Sequence, residues 1–215
     1  MQEFNIEENR YRFTELLKKV NREGADVSSF IYKLEHSDFF VAPASTHYHL
    51  NVKGGLVQHS LNVYDNIVKL AQTFNVDCSE ESLIIVALLH DLDKMNKYEL
   101  YDKNVKNYHE KGTKKDDNGN RFDWVTEKHY KIKDNDKRFV YGHHGQNSEY
   151  IVNTFIPLNL EESVAIVNHM GGDDEYKPYD STAIFNRYPL ATLLRMADFI
   201  ATFITENEQT DSERT

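Results

Sequence analysis

The sequence predicts a mostly α-helical bundle with one inserted β-hairpin. Apolar residues recur at spacings of three and four along several segments, as they do on the buried face of an amphipathic helix. Residues 97–137 depart from this pattern, since they are rich in Lys, Asp, Asn and Tyr and contain the tight-turn sequence Asp117-Asn118-Gly119-Asn120. Partial alternation of apolar and polar residues on both sides of that turn indicates two paired strands.

The first part of the chain, residues 1–37, is predicted to form two helices, over 5–20 and 26–36. After an ordered loop, a third helix is predicted over residues 55–75. His59 falls on its apolar stripe and therefore faces inward. Taken alone, such a histidine is either a core residue satisfied by one hydrogen bond or a ligand. The stripe consists of Leu56, Val63, Ile67, Leu70 and Phe74.

The fourth helix is predicted to be central and buried. Ser79 is a suitable N-cap, and the run from 83 to 89 is apolar on every side. His90 and Asp91 follow at the C-terminal end, where an anionic side chain opposes the helix dipole. A bound cation would explain why this carboxylate is tolerated there.

Two shorter helices are predicted after the hairpin. One runs from about Ser148 and stops before Pro157. The other begins with a capping box formed by Asn159 and Glu162, and it ends at His169.

A polar loop over residues 173–180 leads to the last predicted helix, residues 188–205, with Pro189 in its first turn. Asp198 lies on the inner face of this helix, and a buried lone carboxylate costs several kcal/mol. We therefore expect a partner for Asp198. The polar remainder, residues 206–215, is expected to be a flexible tail after a single domain spanning residues 1–205.

Bulk properties narrow the class of protein. The net charge of −10 argues against a surface that grips long nucleic acid or an anionic membrane, although a bound metal would still allow a small phosphorylated substrate. Cys78 is the only cysteine, so no internal disulfide is possible and a cytoplasmic location is expected. No apolar run is long enough to span a bilayer, and the polar start is not a signal peptide.

His59, the His90-Asp91 doublet and Asp198 form the pattern H…HD…D on predicted helices. This pattern resembles the HD superfamily of metal-dependent phosphohydrolases, over roughly residues 38–204. The doublet alone is common by chance, but the outer His and Asp lie on inward faces. A bacterial and phage branch is similar in residues 42–46, 54–63, 90–94 and 187–191, and residues 55–60 are similar to the HD module of bacterial 3′-5′ exoribonucleases.

The resemblance implies an HD-domain helical bundle that holds one or two divalent transition metals, chosen from Mn, Fe, Ni, Co and Zn. It implies that His59, His90, Asp91 and Asp198 hold the first metal, with Asp91 placed to bridge to a second. The matching candidates for the second metal are His144 and His169. His143 is the alternative to His144 and otherwise a candidate substrate contact. The alternative is that these three histidines are loop or helix-end residues without metal.

Several residues are candidates for contacting substrate. Asp91 would orient the attacking water. Lys94 would bind a phosphate, or it is a solvated lysine near a helix C-terminus. Gly54 and Gly55 either allow the chain to turn into a helix or offer amides to a phosphate oxygen. Arg195 either pairs with a carboxylate or reaches a phosphate.

The expected function is hydrolysis of a phosphoester of a nucleotide or a related small phosphorylated substrate, by a phosphohydrolase or phosphodiesterase. The first alternative is a 3′-5′ exoribonuclease, which ranks lower because those exonucleases carry a separate nucleic-acid-binding domain. The second alternative is a non-catalytic nucleotide- or metal-binding protein of a phage or bacterium. We expect no membrane partner, and the oligomeric state stays open.

Overall fold

A buried central helix, surrounded by amphipathic helices, organises the protein. The computed structural model describes residues 4–46, 50–171 and 181–206. The mostly α-helical fold with an inserted hairpin is confirmed. Its helices are α1 (Ile6–Leu17), α2 (Val27–Glu35), α3 (Gly55–Phe74), α4 (Glu80–Leu89), α5 (His144–Asn153), α6 (Leu160–Asn168), α7 (Ser181–Arg187) and α8 (Pro189–Ile200).

Helix α4 is the central element, as its sequence predicts. Every residue from Ser82 to Leu89 is buried, and the helix packs against α1, α3, α6 and α8. The Ser79 hydroxyl caps the helix by accepting a hydrogen bond from the Ser82 amide at 3.0 Å. Because α4 ends inside the core, the residues that follow it, His90 and Asp91, are buried too.

Helix α3 lies beside α4 and buries Leu56, Val63 and Ile67 of the predicted stripe, while Leu70 is half-buried. Phe74 is 61% exposed, so its predicted inward position is wrong. Residues 72–75 are exposed on every side because the last turn of α3 extends beyond the core. The helix begins at Gly55, where an added Cβ would lie 2.1 Å from the Leu50 carbonyl oxygen. Only glycine allows the preceding loop to pass this close.

The inserted hairpin is an antiparallel ribbon of β1 (Tyr98–Tyr108) and β3 (Arg121–Ile132). Tyr98 pairs with Ile132 and Tyr108 with Phe122, and a short β2 (Lys114–Lys115) adds to β3. At the predicted turn, the Asp116 carboxylate accepts hydrogen bonds from the amides of Asn118 and Asn120, at 3.0 and 2.8 Å. No hairpin residue belongs to the buried cluster of the helical core.

The C-terminal part differs from the prediction in two places. Helix α5 begins at His144 rather than near Ser148, because His143 already has the extended backbone of an N-cap. Helix α7 was not predicted at all. The predicted polar loop 173–180 lies outside the described residues. The capping box of α6 is confirmed, since Asn159 Oδ1 accepts from the Glu162 amide at 2.9 Å and Glu162 accepts in return at 3.0 Å.

The end of the chain also differs. Helix α8 continues as a π-helical segment, Ala201–Thr205, which places Glu206 inside the protein at 3% exposure. The expected flexible tail therefore does not begin at Glu206, and residues 207–215 lie outside the described part. None of the helices in the described ranges combines the length and hydrophobicity that a bilayer span requires.

Candidate metal centre

Four helices bring the predicted ligands to one buried point. His59 comes from the inner face of α3, His90 and Asp91 follow α4, His169 follows α6, and Asp198 comes from α8. Two groups of ligand atoms each lie within 4.8 Å of one another, and His90 belongs to both. One group is His59, His90 and Asp198, and the other is His90, Asp91 and His169.

All four inward histidines are oriented in the same way. Each Nδ1 donates to an oxygen that can only accept, so the neutral ring must carry its proton on Nδ1 and a lone pair on Nε2. In the described part of the chain, the buried Nε2 atoms of His90 and His169 have no hydrogen-bond partner. A buried lone pair facing carboxylates is what a metal ligand provides. The Nδ1 acceptors are Glu206 for His59, the Ala87 carbonyl for His90, Asp93 for His144 and the Ile166 carbonyl for His169, at 2.9, 2.9, 2.8 and 2.7 Å.

Asp91 lies between the two groups. Its Oδ2 is 3.5 Å from His59 Nε2, and its Oδ1 is 3.6 Å from His169 Nε2. Lys94 Nζ donates to the same carboxylate at 2.6 Å, and His144 Nε2 lies 2.6 Å from it. Asp91 is therefore close to histidine Nε2 atoms of both groups.

The structure separates the two adjacent histidines. His144 is the first residue of α5 and contacts Asp91, while Asp93 holds its other nitrogen. Asp93 in turn accepts from Lys97 and, at 2.7 Å, from Asn147. His143 is exposed, and its backbone amide donates to the Gln146 side chain at 2.9 Å. His144 is therefore the one that faces the centre.

The glycine pair donates its amides to nearby carbonyls. Gly54 donates its amide to the Val41 carbonyl at 3.1 Å, and Gly55 donates to the Val52 carbonyl at 3.0 Å. Both N–H groups are therefore engaged within the protein, and a phosphate contact at this pair stays a prediction. Gly54 adopts φ +79°, which lets the chain turn into α3.

Lys94 and Arg195 occupy different environments. Lys94 is only 15% exposed and pairs with Asp91, so it is not a solvated lysine. The Arg195 guanidinium lies 5.2 Å from the Phe185 ring centroid. It also packs against Gly171, so closely that a Cβ added to this glycine would lie 1.2 Å from Arg195 Nη1. Neither of the two predicted roles of Arg195, a carboxylate partner or a phosphate contact, is tested by this packing.

A comparison with protein-family models gives one match. The model described as HD domain matches residues 56–184, which is more than half of the chain. The chain belongs to the HD domain family. The match includes His59, the doublet, His144 and His169 but ends before Asp198, which the structure places 3.1 Å from His59 Nε2. Searches of curated proteins and of solved structures found no match.

The HD domain family generally comprises metal-dependent hydrolases, and the His and Asp side chains of this HD domain fit a metal site. Its electrostatics agree with that use. Burial lowers the pKa of His90 to about 3, which keeps this ring neutral as a ligand must be. Burial also opposes a charge on His59, but Glu206 and Asp198 outweigh it and raise the pKa of His59 to about 10. Without a metal, His59 therefore holds a second proton between these carboxylates, and a metal ion would displace that proton from Nε2.

Sequence reasoning missed two residues of this HD domain's centre, Asp93 and Glu206. Burial opposes the charge of Asp93, yet hydrogen bonds from His144 and Lys97 lower the pKa of Asp93 to about 2. Its position two residues after Asp91 was an available signal. Glu206 gave no such signal, because it is the first residue of a polar stretch that predicts an exposed, flexible tail.

Proposed function

We propose that this HD-domain protein hydrolyses a phosphoester of a nucleotide or a related small phosphorylated substrate, using one or two divalent transition metals. One observation carries the proposal. The lone pairs of His90 Nε2 and His169 Nε2 are buried, lack partners in the described part of the chain and flank the Asp91 carboxylate. Leaving such groups unsatisfied in a core is costly, and a metal ion would satisfy both.

The two groups divide the candidate ligands. His59, His90 and Asp198 would hold one metal, and Asp91 and His169 would hold a second with His90 or His144 beside them. Mixed nitrogen and carboxylate ligands suit Mn, Fe, Ni, Co and Zn. When bound, such ions lower the pKa of a coordinated water and neutralise charge on phosphoryl oxygens.

Substrate would approach from one side of the centre. His59, His90 and His169 are at most 1% exposed, whereas the side chains of Asp198, Lys94 and His144 are 16%, 15% and 23% exposed. Asp91 would orient the attacking water at this opening. Lys94 uses one of its three N–H donors on Asp91, so the others are available to phosphate oxygens.

The test is a substrate panel with the full chain, purified without chelator. Nucleoside mono-, di- and triphosphates and cyclic nucleotides are incubated with each of the five metals in turn. We expect release of phosphate or of a nucleoside monophosphate, and we expect none from the double variant His90→Ala with Asp91→Ala. His109→Ala is the matched control, since that ring is exposed in the hairpin, bonds to Asp123 and lies outside both groups.

Other outcomes reject the proposal in distinct ways. Shortening of RNA from its 3′ end without turnover of small nucleotides indicates an exoribonuclease. Tight binding of metal and nucleotide with no product from any combination indicates a non-catalytic binding protein. If the double variant carries as much metal as the wild type, the assignment of the site itself is wrong.

A further inference from the structure

Glu206 is a buried carboxylate that lies directly behind one of the candidate metal ligands. Its Oε1 accepts from His59 Nδ1 at 2.9 Å and from Asn62 Nδ2 at 3.0 Å. The Glu206 side chain has no exposed surface. His59 and Asn62 are three residues apart on one face of α3, so the carboxylate reaches the same face from a point 144 residues or more further along the chain.

The π-helical segment after α8 determines where Glu206 lies. The Glu206 amide donates to the Ala201 carbonyl at 2.9 Å, a bond that spans five residues instead of the four of an α-helix. Eight residues separate Asp198 from Glu206, an offset of about 80° around a regular α-helix. The wider turn reduces this offset. Consequently both carboxylates contact His59, Asp198 at Nε2 and Glu206 at Nδ1.

His59 needs a distant acceptor for a geometric reason. His90 and His169 follow helix ends, where a ring can donate to the carbonyl three residues earlier. His59 instead lies within α3, where backbone carbonyls accept from amides of the next turn. Its Nδ1 proton must therefore be held by another part of the chain.

We propose that Glu206 is a positioning residue of the metal centre, which holds the Nδ1 proton of His59 and keeps His59 Nε2 directed at the metal between Asp198 and Asp91. The inference rests on the metal centre of the proposed function. It makes the segment after α8 part of that centre. Carboxylates behind ligating histidines fix the ring and its tautomer and make the ligand more basic.

The experiment measures metal binding rather than turnover. The full chain is stripped of metal and titrated with Co²⁺ alone, followed by visible absorption, and its unfolding temperature is recorded without metal. Glu206→Ala removes the acceptor, and Glu206→Gln keeps an acceptor oxygen without the charge. Glu162→Gln is the matched control, because Glu162 is equally buried but bonds to Arg22 and Ser82, away from the centre.

We expect Glu206→Ala to weaken Co²⁺ binding about 10- to 100-fold, the range for loss of an outer partner of a ligating histidine. Glu206→Gln should show a smaller loss of Co²⁺ affinity. If the alanine variant does not fold, the Co²⁺ affinity of Glu206→Gln alone tests the inference. Glu162→Gln should lower the unfolding temperature and leave Co²⁺ affinity unchanged. Wild-type affinity in both Glu206 variants would overturn the inference alone, whereas a wild-type chain that binds none of the five metals overturns the proposed function as well.

Discussion

His90 is the one residue shared by both groups of candidate ligands. Its ring is fully buried, and its Nδ1 donates to the Ala87 carbonyl at 2.9 Å. Because its Nδ1 carries the proton, this ring offers a single lone pair, on Nε2, and can ligate only one metal ion at a time. Its loss removes the nitrogen that either group would use, whereas loss of His169 affects the second group alone.

We predict that His90→Ala lowers metal content strongly and that His169→Ala leaves about one metal bound while turnover falls strongly, since mutations of metal ligands remove affinity directly. Metal content is measured by elemental analysis and activity on the best substrate of the panel. His109→Ala, a change in the exposed hairpin, should match the wild type in both. If His144→Ala and His169→Ala change neither quantity, the centre is mononuclear and these two rings are bystanders or substrate contacts.

At the scale of single elements, the start of α3 controls the position of His59. The Ala44 amide donates to the Leu50 carbonyl at 3.1 Å, and both groups pack directly against Gly55. A Cβ at this position would come within 2.1 Å of that carbonyl oxygen. Because backbone atoms cannot move aside as a flexible side chain can, the helix start must shift.

We predict that Gly55→Ala lowers the free energy of unfolding by about 1–3 kcal/mol, as overpacking does, and also weakens metal binding because His59 is one turn away. Gly119→Ala is the control. Gly119 has φ +83°, and a Cβ added there would lie in open space. The expected loss of stability in Gly119→Ala, about 1–2 kcal/mol, therefore comes from the backbone alone, and metal binding should not change. Urea unfolding and metal titration measure both quantities, and equal metal affinity in Gly55→Ala and wild type would contradict the prediction.

A second element-scale feature joins α6 to the N-terminal region. Arg22 donates to both oxygens of the buried Glu162, at 2.7 and 2.8 Å, and also to Glu81. Burial alone would raise the pKa of Glu162, but hydrogen bonds from Arg22 and Ser82 outweigh it and hold the pKa below the ordinary 4.5. A pKa that is lower in the folded state adds stability above the unfolded pKa, and that stability is lost as the pH falls through the folded pKa.

We predict that the wild type loses this contribution below about pH 4.5, the ordinary glutamate value. Glu162→Gln should be less stable at pH 7 by roughly 1–3 kcal/mol, the range for hydrogen bonds to a charged group, and the difference should shrink toward pH 3. Urea unfolding of both proteins at a series of pH values measures it. A difference that stays constant with pH would show that the Glu162 charge contributes no stability.

At the scale of the whole molecule, the hairpin is separable from the helical core. Its strands end at Tyr98 and Ile132, which pair with each other, and no hairpin residue belongs to the core cluster. Phe122 is buried within the hairpin, close to Gly112. At the base of the hairpin, the chain entering at Tyr98 lies beside the chain leaving at Ile132. A short turn could therefore join them in place of the hairpin.

We predict that residues 100–130 can be replaced by Asn-Gly, which closes Glu99 and Lys131 in a two-residue turn. The shortened chain should fold cooperatively and bind metal as the wild type does, because the ligands lie on helices outside the hairpin. Circular dichroism, thermal unfolding and metal titration check this. Loss of cooperative unfolding would show that the hairpin stabilises the core.

Much of the fold could be predicted because its signals are local. The run from 83 to 89 predicted a buried α4, and the Asp117-Asn118-Gly119-Asn120 turn predicted the hairpin. The prediction that Phe74 faces inward was wrong, and this residue is exposed. The apolar period of a helix does not show where the neighbouring helices that cover it end. His143 and His144 could not be separated from sequence, because the choice depends on the residue at which α5 begins.

The sequence by itself determined the ligand types, their inward faces and the orientation of His90 and His169. Each of those two rings follows a helix end and bonds to a carbonyl three residues earlier, an interaction contained in one turn of chain. Only the tertiary structure decided what holds His59 and His144. Their partners Glu206 and Asp93 are 147 and 51 residues away, so the packing of separate elements, and not any local spacing, brings the carboxylates to these rings.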